Sequence, residues 1–307
     1  MELSGPRKIH LVYKENMRVL DDYIQSLGIF DRILEITRDF SIDDFLASDD
    51  IFVFTQMWFH INTFPKALWS SPRFIFLNVE NLTEQLRWNH LLAFLERNVR
   101  VADYSPANIR IIQTFLSDPS HSHIQYTHTP ILLPYQFNNV ENLVLKNQDN
   151  IYEYDVGIVN ACPKKDSSVS SHLTYKRTLI WEKMNELNWN CVNILGWGKE
   201  RDELIRKCKV IVNVHHFECF TIFQHIRCDR LIFADKLVVS EHSLCGNDLD
   251  IRDVVLWTDF TDLLETTQKV LNDFDRMNSV MSSIDKEPLI QKRKNDLIDA
   301  YRLIQNI

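Results

Sequence analysis

The segment Cys208–Glu241 constrains most strongly what this chain can fold into. It contains two apolar runs, Val210–Val214 and Leu237–Ser240, separated by a polar loop and by an amphipathic stretch at about Thr221–Ala234. Strands of a parallel sheet are buried on both faces and therefore read as continuous apolar runs, whereas helices show apolar residues three and four apart. The segment thus predicts a strand, a helix and a second parallel strand, which together form the βαβ unit of an α/β protein.

The same alternation of strands and helices extends along the chain in both directions. The predicted strands of the first half are Lys8–Tyr13, Arg32–Ile36, Ile51–Thr55, Phe74–Val79, Val101–Tyr104 and Ile131–Leu133. Those of the second half are Asp155–Val159, Cys191–Leu195, Val210–Val214, Leu237–Ser240 and Val254–Trp257. Predicted helices are Asn16–Leu27, Ile42–Ala47, Thr83–Arg97, Pro106–Leu116, Thr174–Leu187, Lys199–Lys207, Thr221–Ala234, Phe260–Leu271 and Leu289–Ile304. Strands that alternate with helices predict doubly wound sheets.

The length of the chain predicts two domains. A chain of 307 residues lies near the upper limit for a single hydrophobic core. Residues 138–152 are polar, rich in Asn and free of apolar periodicity, so they read as a linker. We therefore predict a first domain at residues 1–137, a second at 153–285, and a last helix within residues 286–307.

Composition excludes several classes of protein. The net charge of −8, with no basic cluster, argues against a nucleic-acid-binding protein. The six cysteines form no C-x-x-C pair and predict reduced thiols, hence an intracellular, cytoplasmic protein. No signal-peptide pattern and no transmembrane segment are evident in the sequence. The six glycines form no G-x-G-x-x-G pattern, which disfavours a dinucleotide-dependent oxidoreductase.

Ionisable side chains collect where the strands of the βαβ unit end. His215 and Glu218 follow the first strand, Glu241 follows the second, and Gln224 and Arg227 lie three residues apart on the predicted helix. Ligands of open α/β sheets bind beyond the carboxyl ends of the strands, where loops meet helix N-termini. The pattern therefore favours a polar ligand that carries phosphate.

The residues at this edge also carry a family resemblance. The order N-x-H-H/Y-x-E, then Q/E-x-x-R, then K-L-V-V-S-E resembles the C-terminal half of GT-B glycosyltransferases from bacterial and giant-virus genomes. Further segments in the family order are Phe74–Gln85, Asp103–Ile111, Ile131–Phe137, Tyr154–Asn160 and Gly196–Leu204. The resemblance implies an α/β, GT-B-like fold of two doubly wound Rossmann-like domains facing a cleft, with the last helix packing back toward the first domain.

The resemblance also implies an activity, namely a hexosyltransferase-type glycosyltransferase that moves a sugar from a nucleotide sugar to an acceptor hydroxyl. Arg227, with a helix N-terminus, would hold the diphosphate, and Glu241 would accept hydrogen bonds from the ribose. The residues expected to bind the nucleotide sugar are Gly157, Asn160, His215, Gln224, Arg227, Ser240 and Glu241. The acceptor is open among a glycan, a protein and a small molecule, no cofactor is expected, and a viral chain would act in the host cytoplasm.

Three residues are candidates for catalysis. His60 and Glu80 lie near predicted strand ends in the first domain, where either can accept the proton of the acceptor hydroxyl. Glu218 is a candidate to hold a hydroxyl of the donor sugar. Its spacing departs from the E-x7-E pattern of many retaining GT-B enzymes because Ile226 stands eight positions on, so inversion and retention both remain open.

Two expectations concern the remaining histidines and acids. Because neighbouring residues of a strand point to opposite sides, only one of His215 and His216 is expected to face a ligand. Possible metal ligands are His121, His123, His128, Asp248, Asp250, Asp273 and Asp275. Since none of them forms an acidic pair after a suitable strand or pairs with a cysteine, the sequence predicts no metal dependence.

Two other functions fit the same pattern. A sugar-nucleotide epimerase shares the GT-B architecture and would also bind a nucleotide sugar. A catalytically silent subunit that binds a nucleotide or a sugar is the alternative outside enzymes. Product analysis separates the epimerase from a transferase, and binding without turnover would indicate the silent subunit.

Overall fold

The computed structural model describes residues 6–13, 20–36, 38–55, 64–136, 151–159, 176–196 and 198–307, apart from the side chain of Asn247. The chain divides into two compact units. The first unit comprises Met1–Gln136 together with Gln291–Ile307, and the second comprises Phe137–Ile290.

The first unit contains a six-stranded sheet in the order β2-β1-β3-β4-β5-β6. Every neighbouring pair of these strands is parallel. The strands are β1 Ile9–Tyr13, β2 Arg32–Glu35, β3 Ile51–Thr55, β4 Phe74–Asn78, β5 Arg100–Asp103 and β6 Ile131–Leu132. Each prediction for these strands matches to within about two residues at either end, because buried strands with continuous apolar runs are the clearest signal in an α/β sequence.

Helices connect these strands. They are α1 Asp21–Leu27, α2 Ile42–Ala47, α3 Lys66–Trp69, α4 Gln85–Leu95 and α5 Pro106–Ser117. Gly28 ends α1 in the left-handed region with φ of 61°, the conformation that glycine commonly adopts just after a helix. The predicted start of α1 near residue 16 lies outside the described residues, and α3 was missed because one short turn shows no periodicity.

Stacked phenylalanines dominate the core of the first unit. The Phe54 and Phe74 rings lie 4.3 Å apart and nearly parallel, and the Phe76 and Phe94 rings lie 4.0 Å apart. All four side chains are buried, so each contributes a large apolar area together with favourable ring geometry. This packing fixes β4 between its neighbours and thereby places the residues that follow its carboxyl end.

The second unit contains a five-stranded sheet in the order β11-β10-β9-β7-β8, again with parallel neighbours. Its strands are β7 Tyr154–Val159, β8 Cys191–Ile194, β9 Cys208–Asn213, β10 Leu237–Glu241 and β11 Leu256–Thr258. Its helices are α6 Lys176–Glu186, α7 Gly198–Arg206, α8 His225–Phe233, α9 Leu263–Asn272 and α10 Phe274–Ser282. Helix α10, which directly follows α9, was not predicted from the sequence.

The βαβ unit is present, but its helix is shorter than predicted. Val210 of β9 lies opposite Leu237 of β10 in a parallel pair. Helix α8 begins at His225 rather than near residue 221. Ile222 and Phe223 supplied the early part of the apolar pattern, yet they lie in the loop, where both are fully buried and the Phe223 ring contacts Trp257 at a centroid distance of 5.3 Å.

The last helix, α11, spans Glu287–Gln305, close to its predicted bounds. Within the first unit, Gln136 Nε2 donates a hydrogen bond to the main-chain oxygen of Arg293 at 3.0 Å. At the other end of α11, Arg7 N donates to Gln305 Oε1 at 3.1 Å. No helix in the described part of the chain is both long enough and apolar enough to cross a membrane.

Gly157 occupies the interior of β7 and leaves no room for a side chain. It lies between Val192 of β8 and Ile211 of β9 in the sheet. A Cβ atom at this position would lie 2.7 Å from Cys208 Sγ, 2.7 Å from Ile194 Cδ1 and 2.9 Å from Ile211 Cδ1. Packing therefore accounts for a glycine at this position, and its predicted role in binding a nucleotide sugar remains a prediction.

Gly157→Ala is expected to lower the free energy of unfolding by about 1–3 kcal/mol, because the added methyl group overpacks the sheet. Urea denaturation followed by tryptophan fluorescence measures the change. Gly246→Ala is the matched control, since a Cβ atom there has no neighbour within 4 Å, and its effect should stay within about 0.5 kcal/mol. Equal stability of the two variants would contradict the packing role.

Candidate functional site

Polar side chains meet at the carboxyl ends of β9 and β10. Asn213 and Ser240 are opposite each other in the parallel register. Asn213 Nδ2 donates to Ser240 Oγ at 3.0 Å, and Ser240 Oγ donates to the main-chain oxygen of Glu241 at 3.0 Å. Both side chains are buried, so these bonds bind the ends of the two strands together and order the residues that follow them.

Glu241 belongs to a buried ion pair. Its Oε1 contacts the ammonium group of Lys176, and its Oε2 accepts a hydrogen bond from His215 N at 3.2 Å. The Lys176 ammonium also lies 4.3 Å from the centre of the Phe260 ring. The carboxylate therefore links β10 to the start of α6 and to the loop after β9, and its predicted role toward a ribose remains a prediction.

Two arginines come together beside this ion pair. Arg177 is 4% exposed; its Nε donates to the main-chain oxygen of Val214 at 2.7 Å and its Nη2 donates to Gln224 Oε1 at 3.4 Å. Burial and the nearby Arg227 guanidinium lower the pKa of Arg177 well below its usual range. Like charges in a poorly solvated place repel each other, so an anion bound here would relieve an unfavourable interaction.

Helix α8 adds its N-terminus to the same place. Gln224 is the N-cap residue and makes no side-chain capping bond within the helix, while Arg227 lies in the first turn. The N-terminus of a helix carries a partial positive charge and main-chain N–H groups that suit anions. Two guanidinium groups and a helix N-terminus together suit a phosphate-bearing ligand, whose oxygens accept the paired hydrogen bonds that arginine donates.

His215 and His216 lie near both arginines. Burial, followed by the charges of Arg177 and Arg227 among others, lowers the pKa of each imidazole to about 4. Both rings are therefore neutral at neutral pH. The expectation that only one of the two would face the site rested on strand alternation, but β9 ends at Asn213, so the rule does not apply to these positions.

The remaining predicted residues are not among the groups that meet at this edge of the second sheet. Glu218 is exposed in the loop after β9. His60 and Asn160 lie outside the described residues, so their predicted roles stay predictions.

Glu80 follows β4 in the first unit. Its side chain is 17% exposed, and its Oε2 lies 3.4 Å from Arg87 Nε. Burial raises the pKa of Glu80 to about 7, although Arg87 opposes the rise. A carboxyl group with a pKa near the operating pH is suited to accept a proton from a hydroxyl group. This pKa is compatible with the predicted role of Glu80 as the base, which remains a prediction.

Three residues at these two sheet edges were not predicted from the sequence: Lys176, Arg177 and Asp103. Asp103 ends β5 and is fully buried, and its position inside the short predicted strand Val101–Tyr104 gave no sign of a functional role. A signal did exist for Lys176 and Arg177, because two cations in the first turn of a predicted helix face an unfavourable dipole. Such a placement indicates that a carboxylate or a ligand compensates the charges.

The possible metal ligands form no centre in the described residues. Within that part of the chain, no group of three or more His, Cys, Asp or Glu side chains is arranged to hold a metal ion. His121 instead stacks on Phe115, with the ring centres 3.8 Å apart. The absence of metal dependence remains a prediction that needs a binding experiment.

Comparison with known proteins finds viral relatives. No protein-family model matches the chain. One uncharacterized protein of Acanthamoeba polyphaga mimivirus is 25% identical over 97% of this chain, and a second is 26% identical over 84% of it. The chain covers 38% of the length of the first relative and 77% of the second. The sequence is thus similar to proteins of a giant virus.

A solved structure shares the fold. A crystal structure of an α1,3-fucosyltransferase with GDP-fucose superposes with a TM-score of 0.50 over 100% of this chain and 93% of that one, at 10% sequence identity. The fold-class prediction is confirmed: the chain has two parallel sheets with helices, as in GT-B glycosyltransferases. At this identity the likeness establishes the architecture, and chemistry has to be argued from the residues.

Proposed function

We propose that this chain is a glycosyltransferase that moves a sugar from a nucleoside diphosphate sugar to an acceptor hydroxyl. The observation that carries the proposal is the pair of guanidinium groups, Arg177 and Arg227, beside the N-terminus of α8 at the carboxyl edge of the second sheet. Three positive groups in a poorly solvated place suit two adjacent phosphates better than a single carboxylate. The fold shared with a fucosyltransferase supports the same function.

In the proposed reaction, the acceptor hydroxyl attacks the anomeric carbon of the donor. A glycosidic C–O bond forms and the bond between the sugar and the diphosphate breaks, so the electron pair leaves with the nucleoside diphosphate. The acceptor proton passes to the Glu80 carboxylate, whose pKa of about 7 suits that transfer. Arg177, Arg227 and the helix N-terminus stabilise the charge that builds on the leaving diphosphate.

A thermal-shift screen tests the donor class directly. We expect UDP-glucose, GDP-fucose or TDP-glucose to raise the melting temperature, because a ligand that binds only the folded state stabilises it by mass action. GDP-fucose is included because the similar fucosyltransferase structure contains it. CMP-sialic acid has one phosphate and serves as the matched control. A chain that responds to none of the three diphosphate sugars would refute the proposal.

Product analysis then separates transfer from its two alternatives. The selected donor is incubated with methyl glycosides of glucose, galactose, fucose and N-acetylglucosamine, and products are separated by mass and by chromatography. A new disaccharide with release of nucleoside diphosphate supports transfer. An isomer of the donor indicates an epimerase, and unchanged donor with retained binding indicates a silent subunit.

Binding of the donor is expected to persist in excess EDTA. The proposed diphosphate contacts are guanidinium and main-chain N–H groups, which need no bridging cation. Isothermal titration of the nucleoside diphosphate that corresponds to the selected donor, with and without EDTA, should give the same Kd to within about twofold. Loss of binding in EDTA, restored by manganese, would overturn this expectation and indicate a metal-dependent site.

A further inference from the structure

A buried polar network lies at the carboxyl ends of β4 and β5 in the first unit. Asn78 and Asp103 are opposite each other in the register of these strands. Asp103 is fully buried, and its Oδ2 accepts a hydrogen bond from Asn78 Nδ2 at 2.6 Å. Its Oδ1 accepts from Ser105 N at 2.8 Å and from Asn108 Nδ2 at 3.0 Å. Donors therefore surround both oxygens of this carboxyl group.

The side-chain amides of Asn78 and Asn108 also form hydrogen bonds with the main chain of the turn that contains Glu80. Asn78 Nδ2 and Asn108 Nδ2 donate to the main-chain oxygen of Glu80 at 3.1 and 2.7 Å. Glu80 N donates to Asn78 Oδ1 at 3.3 Å, and Leu82 N donates to Asn108 Oδ1 at 3.2 Å. An amide has one donating and one accepting end, so it can hold this turn in only one orientation. The Asp103 carboxylate selects that orientation for both amides.

We propose that Asp103 is a positioning residue for Glu80: through Asn78 and Asn108 it fixes the turn from which the Glu80 carboxyl group extends. The inference rests on the proposed function, in which Glu80 is the general base. Because Asp103 is fully buried and hydrogen-bonded at both oxygens, it acts through Glu80 and does not touch the substrate. Hydrogen bonds therefore connect the Asp103 carboxylate, through the amides of Asn78 and Asn108, to the turn that contains Glu80.

The energetic balance at Asp103 supports this role. A buried carboxylate is unfavourable, and burial raises the pKa of Asp103 to about 7 in spite of its hydrogen bonds. A neutral residue would fill the same space at lower cost. An asparagine, however, would direct an NH₂ group at the NH₂ group of Asn78 or Asn108, so one of the two amides would have to turn away from the Glu80 main chain.

Asp103→Asn tests the inference. We expect kcat to fall about tenfold to hundredfold, because small displacements of a catalytic group have effects of that size. The donor is UDP-glucose, GDP-fucose or TDP-glucose, as selected by the thermal-shift screen, with the methyl glycosides as acceptors. The Kd of the corresponding nucleoside diphosphate should stay at the parental value, since its proposed ligands are in the second unit. Asp118→Asn is the matched control, as Asp118 is exposed in the same unit and should keep parental kcat.

A double-mutant cycle with Glu80→Gln shows whether Asp103 acts through Glu80. In the Glu80→Gln background, Asp103→Asn should cause no further loss of kcat, since the group that it positions is gone. Two results would overturn the positioning role of Asp103 and leave the base assignment intact. One is an equal loss of kcat from Asp103→Asn in both backgrounds. The other is parental kcat for Asp103→Asn when Glu80→Gln is impaired. Parental kcat for Glu80→Gln would refute the base assignment and this inference together. If Asp103→Asn does not fold, Asn108→Ala takes its place in the cycle, because it removes one of the amides that connect Asp103 to Glu80. The same outcomes then support or overturn the positioning role.

Discussion

Glu80→Gln is expected to lower kcat by about 10²–10⁴-fold, the usual contribution of a general base. Glutamine has nearly the same shape as glutamate and keeps an acceptor near Arg87, but it cannot take the proton of the acceptor hydroxyl. Initial rates of nucleoside diphosphate release at saturating donor and acceptor measure the effect. The Kd of the nucleoside diphosphate should not change, because its proposed ligands are in the second unit.

The pH dependence provides an independent readout of the same group. A general base acts in its ionised form, and burial raises the pKa of Glu80 to about 7. The parental kcat should therefore fall at least tenfold for each pH unit just below 7, since protonation of Asp103, whose pKa is also about 7, adds to the loss. It should level off above pH 7, whereas the residual activity of Glu80→Gln should lack this step. Glu96→Gln is the control, because Glu96 is an exposed acid at the end of α4 in the same unit. A parental rate and pH profile for Glu80→Gln would contradict the assignment.

Arg227→Ala is expected to weaken binding of a nucleoside diphosphate by about tenfold to 150-fold. This range corresponds to the loss of a charge-assisted contact of about 1.5–3 kcal/mol. The melting temperature should not fall, because the Arg227 charge disfavours the buried Arg177 guanidinium and its removal relieves that repulsion. Isothermal titration gives the Kd, and a melting curve reports the fold.

Two further variants sharpen this test. Arg227→Lys keeps the charge but loses the paired donor geometry, so its affinity should fall between those of the parent and of Arg227→Ala. Arg276→Ala removes an exposed arginine of α10 in the same unit and should bind like the parent. Parental affinity of Arg227→Ala, or its unfolding, would make Arg227 a structural residue and would leave the diphosphate site without its main support.

Strand positions could be predicted from the sequence because a strand that is buried on both faces is apolar at successive positions. Runs such as Ile51–Thr55 and Phe74–Asn78 are buried along their whole length, so their apolar character marks strands wherever the neighbouring chain supplies turns. The start of a helix is harder to predict, because a single turn shows only a weak apolar pattern. Ile222 and Phe223 fitted the helical pattern of α8, but both are buried in the loop before it.

The site was predictable to the extent that it lies where strands end. Glu241 is the last residue of β10, and His215 and Arg227 lie in the segment that follows β9. Parallel strands bring their carboxyl ends to one edge of the sheet. Only the tertiary structure could add Lys176 and Arg177, which come from a helix far away in sequence and make long-range contacts with Glu241 and Val214. Ion pairs and guanidinium contacts of this kind leave no periodic pattern.

A physical reason separates what the sequence determined from what the tertiary structure decided. Periodic burial is a local property, so the sequence by itself determined an α/β chain of alternating strands and helices and the edge where polar residues would collect. The ionisation of a carboxyl group depends on everything packed around it. The tertiary structure alone decided that Glu80 and Asp103 have pKa values of about 7, and that the Glu241 carboxylate is held by a lysine, because desolvation and charge pairing arise only when distant segments meet.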